Sequence, residues 1–233
     1  MLLPWMDRLI EFVGTHPGLE LNLVGGDDLR NLTRREADIA LRFTVAPPEH
    51  LVGRRLAEAA IAVYAAHKFA DEPLETMPWV GWDQSDAPES TADRVRKSIG
   101  ATGPYVVRVN SYALWLAAGR RGAGALTLPC VLGDVCADLQ RRTEPMVLPG
   151  NLWILTHPDL RRSPRIRRTM QVLAEFVATQ REALLGQRGW PSDGHTNLIA
   201  STGSTRPARQ AGSSPDATVA KPTIKTMMTT FSG

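Results

Sequence analysis

Glu36-Ala37-Asp38-Ile39-Ala40-Leu41-Arg42-Phe43-Thr44, followed by Val45-Ala46-Pro47-Pro48-Glu49-His50-Leu51-Val52-Gly53-Arg54-Arg55-Leu56, reads as a strand and the turn after it. Residues 38–43 are a nearly continuous apolar run, the pattern of a strand covered on both faces as in a parallel sheet. Toward the N-terminus, Leu2, Leu3, Met6, Leu9, Ile10 and Val13 recur at helical spacing. His16-Pro17-Gly18 stops that helix by steric conflict at proline and a permissive glycine. Residues 19–24 alternate as a strand, Gly25-Gly26-Asp27-Asp28 form a turn with a capping carboxylate, and residues 29–36 read as a second helix. The order helix, strand, helix, strand predicts a parallel sheet with right-handed crossovers.

Toward the C-terminus, residues 56–66 read as a strand, 68–74 as a short helical turn, 80–82 as a strand and 90–99 as a helix opened by Ser90. A strand at 105–109 leads through Asn110-Ser111 into a helix at 112–121. A strand at 125–128 is stopped by Pro129, 131–139 reads as helix, 146–148 and 152–156 as strands, and 164–184 as a long amphipathic helix. The two blocks of alternating strand and helix predict an α/β protein of two small lobes. From Gly186 onward Gly, Ser, Thr, Pro and Ala dominate and the apolar residues lose periodicity. Such a segment buries too little to offset its ordering entropy, so disorder is expected over 187–233.

The chain has 233 residues, 43% hydrophobic and 22% charged, ordinary for a globular protein. Lys and Arg outnumber Asp and Glu by 27 to 24; residues 186–233 hold five basic and two acidic side chains, so the rest carries 22 of each. No general phosphate-binding field is implied. Cys130 and Cys136 are too few for a disulfide framework or a structural zinc site and are expected to be core thiols. Without a long apolar run or a signal-peptide pattern, the expectation is a soluble, cytoplasmic protein that makes no membrane contact.

In open α/β sheets ligands bind beyond the carboxyl ends of strands, where helix N-termini offer unpaired N–H groups and partial positive charge. The candidate turns are Gly25-Gly26-Asp27, Phe43-Thr44, Trp82-Asp83 and Asn110-Ser111, which suit an anionic or carboxylate-bearing metabolite. Asn110 and Ser111 either contact that ligand or merely cap the helix they open. Trp79 and Trp82 fall on opposite faces of a strand, one in the core and the other, taken to be Trp82, in the cleft. Asp27 and Asp28 complement a helix dipole more simply than they catalyse. The histidines have no metal spacing. Gly119, Gly122 and Gly124 follow a helix and precede a strand, the reverse of a dinucleotide-binding loop, and fit a helix C-cap and tight turn. No nucleophile motif occurs, and the arginines at 161, 162, 165, 167 and 168 read as a solvated face. Neither an enzyme nor a cofactor is expected.

The opening stretch, with residues 117–129 (AAGRRGAGALTLP) and 152–161 (LWILTHPDLR), closely resembles the effector-binding domain of LysR-type transcriptional regulators over residues 1–186. The resemblance implies two Rossmann-like lobes of the type II periplasmic-binding-protein kind. Lobe I takes 1–64 plus 157–186 and lobe II takes 65–156. It implies a small-molecule effector bound between the lobes near Gly26, Asp27, Phe43, Thr44, Trp82, Asn110 and Ser111. It also implies pairing with a second copy or a related regulator through helix 29–36 (Leu29, Leu32) and helix 131–139 (Val131, Val135), and DNA contact only through a head domain. By the same resemblance, the winged helix-turn-helix head and the first effector-domain strand are absent. The expected results are a gap between strands 19–24 and 38–43, reduced stability, weak or no effector binding and no sequence-specific DNA binding. Two other readings stay open: an interaction module that modulates an intact regulator, and a two-lobed enzyme, for which no convergent acid, base or nucleophile is found.

Overall fold

A computed structural model describes residues 6–16, 20–25, 37–83, 90–187 and 223–229. The chain runs α1 (Met6–Gly14), β1 (Glu20–Gly25), β2 (Ile39–Thr44), β3 (Val52–Ala57), β4 (Ala60–Ala66), β5 (Trp79–Trp82), α2 (Thr91–Ser98), β6 (Tyr105–Val109), α3 (Tyr112–Arg120), β7 (Leu126–Pro129), α4 (Cys130–Gly133), β8 (Leu139–Arg141), β9 (Met146–Val147), β10 (Asn151–Thr156), α5 (Pro164–Thr179), α6 (Arg181–Leu184) and β11 (Thr223–Thr229).

Among the described residues, lobe I is a five-stranded sheet of order β1-β11-β2-β10-β3. The apolar run of β2 earns its central place: Ile39, Ala40 and Leu41 are fully buried. Beside it, Leu152, Ile154 and Leu155 of β10 are sealed to within 1%, and each such side chain contributes roughly 1.5–3 kcal/mol of transfer free energy. Helix α5 lays Ile166, Thr169, Leu173, Ala174 and Val177 against this core at helical spacing. Lobe II centres on β4, every residue of which is buried, flanked by β7 and β8 with β9 alongside. Backbone bonds from Val80 N to Ala125 O and from Ala125 N to Pro78 O, both 2.8 Å, join the parallel β5-β6 pair to the head of β7.

Several expectations need correction. The chain passes between sheets at 58–59 and 148–150, because 56–66 is two strands rather than one: β3 pairs with β10, whereas β4 pairs with β7, β8 and β9. Strand β4 therefore lies in lobe II from residue 60, and β10 lies in lobe I although it precedes residue 156. Only Cys130–Gly133 of the expected helix 131–139 is helical, and Leu139–Arg141 is strand. Between β1 and β2, where a gap was expected, residues 223–229 are placed as β11. The expected helix 29–36 lies outside the described residues.

Strand β3 falls in the stretch that the sequence pattern assigns to a turn, since Gly53, Arg54 and Arg55 carry no apolar alternation; in the fold these three are exposed. Gly53 is required by close approach: a Cβ there would sit 1.9 Å from the Ile154 carbonyl oxygen. Gly53→Val is expected to force β3 away from β10 and lower stability by roughly 1–3 kcal/mol, measured by urea unfolding. A variant as stable as the parent would contradict this packing.

Candidate functional site

Registers fix which ends of the strands meet. In lobe I, Thr44 at the end of β2 is level with Asn151, and Ala57 at the end of β3 is level with Leu152. Strands β1 and β11 run parallel to β2. In lobe II, β6 is parallel to β5, and β5 to β7 through the Trp79–Ala125 bridge. Pro129 at the end of β7 is level with Ile61 at the start of β4. The carboxyl ends of both parallel sets thus face the layer where the chain crosses between sheets, the position of ligand crevices in open α/β proteins.

On the lobe I rim, Phe43 is buried in the core with 6% exposure. Thr44 is half-buried, and its hydroxyl donates to the Ala46 carbonyl at 2.8 Å. Gly150 has φ +123°, and a Cβ there would lie 3.0 Å from the Thr44 carbonyl, a dihedral and a spacing that favour glycine. The next residue, Asn151, lies between the strands expected at 146–148 and 152–156 and is not among the residues the sequence singles out. Its side-chain oxygen is buried without a hydrogen-bond partner among the described residues, which makes it a candidate acceptor. Gly26 and Asp27 lie outside the described residues.

On the lobe II rim, Asn110 is exposed and Ser111 half-buried at the start of α3. Ser111 is the N-cap residue, yet its side chain makes no capping bond, so the capping role expected as the simpler alternative is not taken by its hydroxyl. The two tryptophans do separate into different core clusters. Trp82, however, is 8% exposed and packs edge-on to Trp115 at 5.1 Å and tilted on Tyr112 at 5.0 Å. It supports the start of α3 from within rather than standing open in a cleft.

Other groups that invite a chemical reading have structural roles. Burial pushes the Cys130 and Cys136 thiols upward, away from reactive thiolate. The described residues hold no cluster of metal-ligating side chains and no helix long and apolar enough to cross a membrane. Val131, expected on a partner-facing helix, is 1% exposed and belongs to the core, while Val135 is partly buried against the lobe II cluster. Leu29 and Leu32 lie outside the described residues. Arg161, Arg162 and Arg167 join Arg54 and Trp153 along an open groove of about 950 Å³ on lobe I, a more shaped surface than the solvated face expected.

Helix α2 illustrates how lobe II fixes its polar groups. Ser90 caps it, accepting from Asp93 N at 3.1 Å and donating to the Asp93 carboxylate at 2.7 Å. Tyr105 of β6 donates to the same carboxylate. Burial raises the Asp93 pKa, but the bonds from Tyr105 and Ser90 outweigh it and the net shift is downward. Burial, then Asp93, pushes the Tyr105 phenol up to about 12. A depressed carboxylate stabilises the fold above its unfolded value of about 3.9 and loses that contribution as pH falls through the folded value; a raised phenol contributes below about 10 and loses it as pH rises toward 12. Tyr105→Phe is expected to flatten the stability profile at both extremes, which thermal melts across pH would show; an unchanged profile would contradict the assignment.

A family model for the LysR substrate binding domain matches residues 2–178, and the chain belongs to that family. The fold is similar to the effector domain of the transcriptional regulator AmpR of Pseudomonas aeruginosa, with TM-score 0.62 and 17% identity over 78% of this chain and 92% of that one. It is also similar to the regulatory domain of CrgA, a LysR-type transcriptional regulator from Neisseria meningitidis, with TM-score 0.57 and 19% identity over 78% and 94%. The AmpR effector binding domain from Citrobacter freundii gives TM-score 0.58 and 15% identity over 75% and 92%. No curated protein sequence matches the chain. The two-lobed, periplasmic-binding-protein-like α/β fold implied by the sequence motifs is the one observed.

Proposed function

We propose that this protein senses a small anionic or carboxylate-bearing metabolite between its lobes, as the effector-binding part of a cytoplasmic LysR-type transcriptional regulator. The observation that carries the reading is the convergence of strand carboxyl ends from both sheets on one layer. Thr44 and Asn151 stand on one rim, and Asn110 and Ser111 at the start of α3 on the other. The first-turn N–H groups of a nine-residue helix, with a hydroxyl not spent on capping, suit a carboxylate. A ligand touching both rims favours a closed arrangement by its differential contacts, and paired copies transmit the change in lobe angle to separate DNA-binding heads. DNA contact by these lobes is not part of the proposal, since residues 1–185 carry balanced charge.

The test is a thermal-shift panel of small mono- and dicarboxylates and amino acids against the parent chain, Thr44→Val and Ser111→Ala. With β11 placed where a gap was expected, at least one compound is expected to raise the parent melting temperature, and each substitution to weaken that compound about tenfold or more, the worth of a bond to a charged group. A compound that stabilises all three proteins equally would place its site elsewhere.

A further inference from the structure

Among the described residues, strand β1 is held in its sheet by β11 alone. Every residue of β1 is in parallel register with Thr223 to Met228, and Ile39 to Arg42 of β2 are in parallel register with Thr226 to Thr229. Neighbouring strands lie about 4.8 Å apart, so β1 and β2 stand roughly 9.6 Å from each other, too far for any direct ladder. The strand between them arrives from the far end of the chain, after residues 188–222. Its composition is also unlike that of its neighbour: β2 is Ile-Ala-Leu-Arg-Phe-Thr, whereas β11 is Thr-Ile-Lys-Thr-Met-Met-Thr. Interior strands of parallel sheets are usually near-continuous apolar runs. Three β-forming threonines, with a lysine, make a strand that tolerates water when released.

We propose that the space between β1 and β2 is a binding slot for an extended peptide in parallel register, and that this chain's own residues 223–229 are its occupant. The main-chain ladder on both sides supplies the affinity, as in strand addition to a sheet edge but with two edges engaged at once. Supply in cis is within reach: the 35 residues 188–222 span up to roughly 115 Å when extended, and such a tether gives the strand an effective concentration on the order of millimolar. Filling the slot secures β1 to the rest of lobe I. Emptying it leaves β1 with no partner strand and β2 with an open edge, a surface that recruits other strands.

Hydrogen exchange on the full chain tests this. Amides of residues 224–229 are expected to be protected together with those of β1 and β2. Met227→Pro, which removes a ladder donor from the middle of β11, is expected to release protection in residues 20–25 while β4 and β7 of lobe II keep theirs. A synthetic peptide of residues 223–229, added in excess to that variant, is expected to restore protection of residues 20–25. Free-peptide exchange rates at 224–229 in the parent while β1 stays protected would overturn the proposal, as would Met227→Pro leaving β1 protection unchanged. Size exclusion assigns the source: monomeric elution with β11 protected supports supply in cis, and a dimer whose protection is lost on dilution overturns it in favour of exchange between copies.

Discussion

Asp134→Ala is expected to cost about 3 kcal/mol, because one carboxylate holds two other polar groups in lobe II. The Tyr64 hydroxyl donates to Asp134 Oδ1 at 2.7 Å, and Arg141 reaches the same carboxylate through Nε at 3.1 Å and through Nη2. Tyr64 is 1% exposed. Burial pushes its phenol upward and the bond to Asp134 adds to this, so it remains a donor that needs an acceptor. Burial lowers the Arg141 pKa, but Asp134 and Tyr64 reverse the shift to a net rise. Truncating Asp134 strands a buried hydroxyl and a guanidinium that keeps 28% of its side chain exposed; that access to water holds the cost to the lower part of the range for broken buried pairs. Asp134→Asn, which retains an acceptor, is expected to cost less than the alanine. Equal losses for the two substitutions would show that packing, not hydrogen bonding, decides this site.

Ile154→Ala is expected to be of similar or greater size, about 2–5 kcal/mol. Ile154 is fully buried in β10, opposite Leu41 of β2 on one side and Arg54 of β3 on the other. Its side chain belongs to the cluster shared by Leu152, Leu173 and Val177, so α5 and the sheet both border the cavity. Backbone ladders on both flanks keep β10 from moving inward to fill it, which favours the upper half of the range. Denaturant unfolding should show a lower midpoint with an unchanged slope. A loss below about 1 kcal/mol would mean that the sheet collapses around the missing atoms.

Sequence was most informative where periodicity is strong and local. The apolar run of β2, the stripe along α5, the Ser90 cap of α2 and the passage from β6 through Asn110-Ser111 into α3 could all be read from residues close together. It was least informative where pairing with a distant partner decides structure. Strand β3 exposes its arginines and depends on Gly53 meeting the Ile154 carbonyl, a contact across about a hundred residues. Strand β11 has little apolar character, and its place is set by two ladders to strands at the other end of the chain. At the proposed site, what the sequence made legible is that Asn110-Ser111 opens a helix, and Ser111 is the N-cap residue of α3. Trp82 was misplaced because alternation assigns a face but not what covers it, and here Trp115 and Tyr112 cover it. Asn151 gave no signal, since its unsatisfied oxygen appears only once the strand is folded.

The central claim is that a crevice bounded by both lobes receives the small molecule. Titration of the amide NMR spectrum with the carboxylate that most raises the melting temperature tests it most directly. The predicted result is a saturable set of shifts at residues 44–46 and 151 of lobe I together with 110–113 of lobe II, moving with one dissociation constant. Saturable shifts confined to a single lobe, or to the arginine-lined groove around Arg54, Arg161 and Arg167, would contradict it.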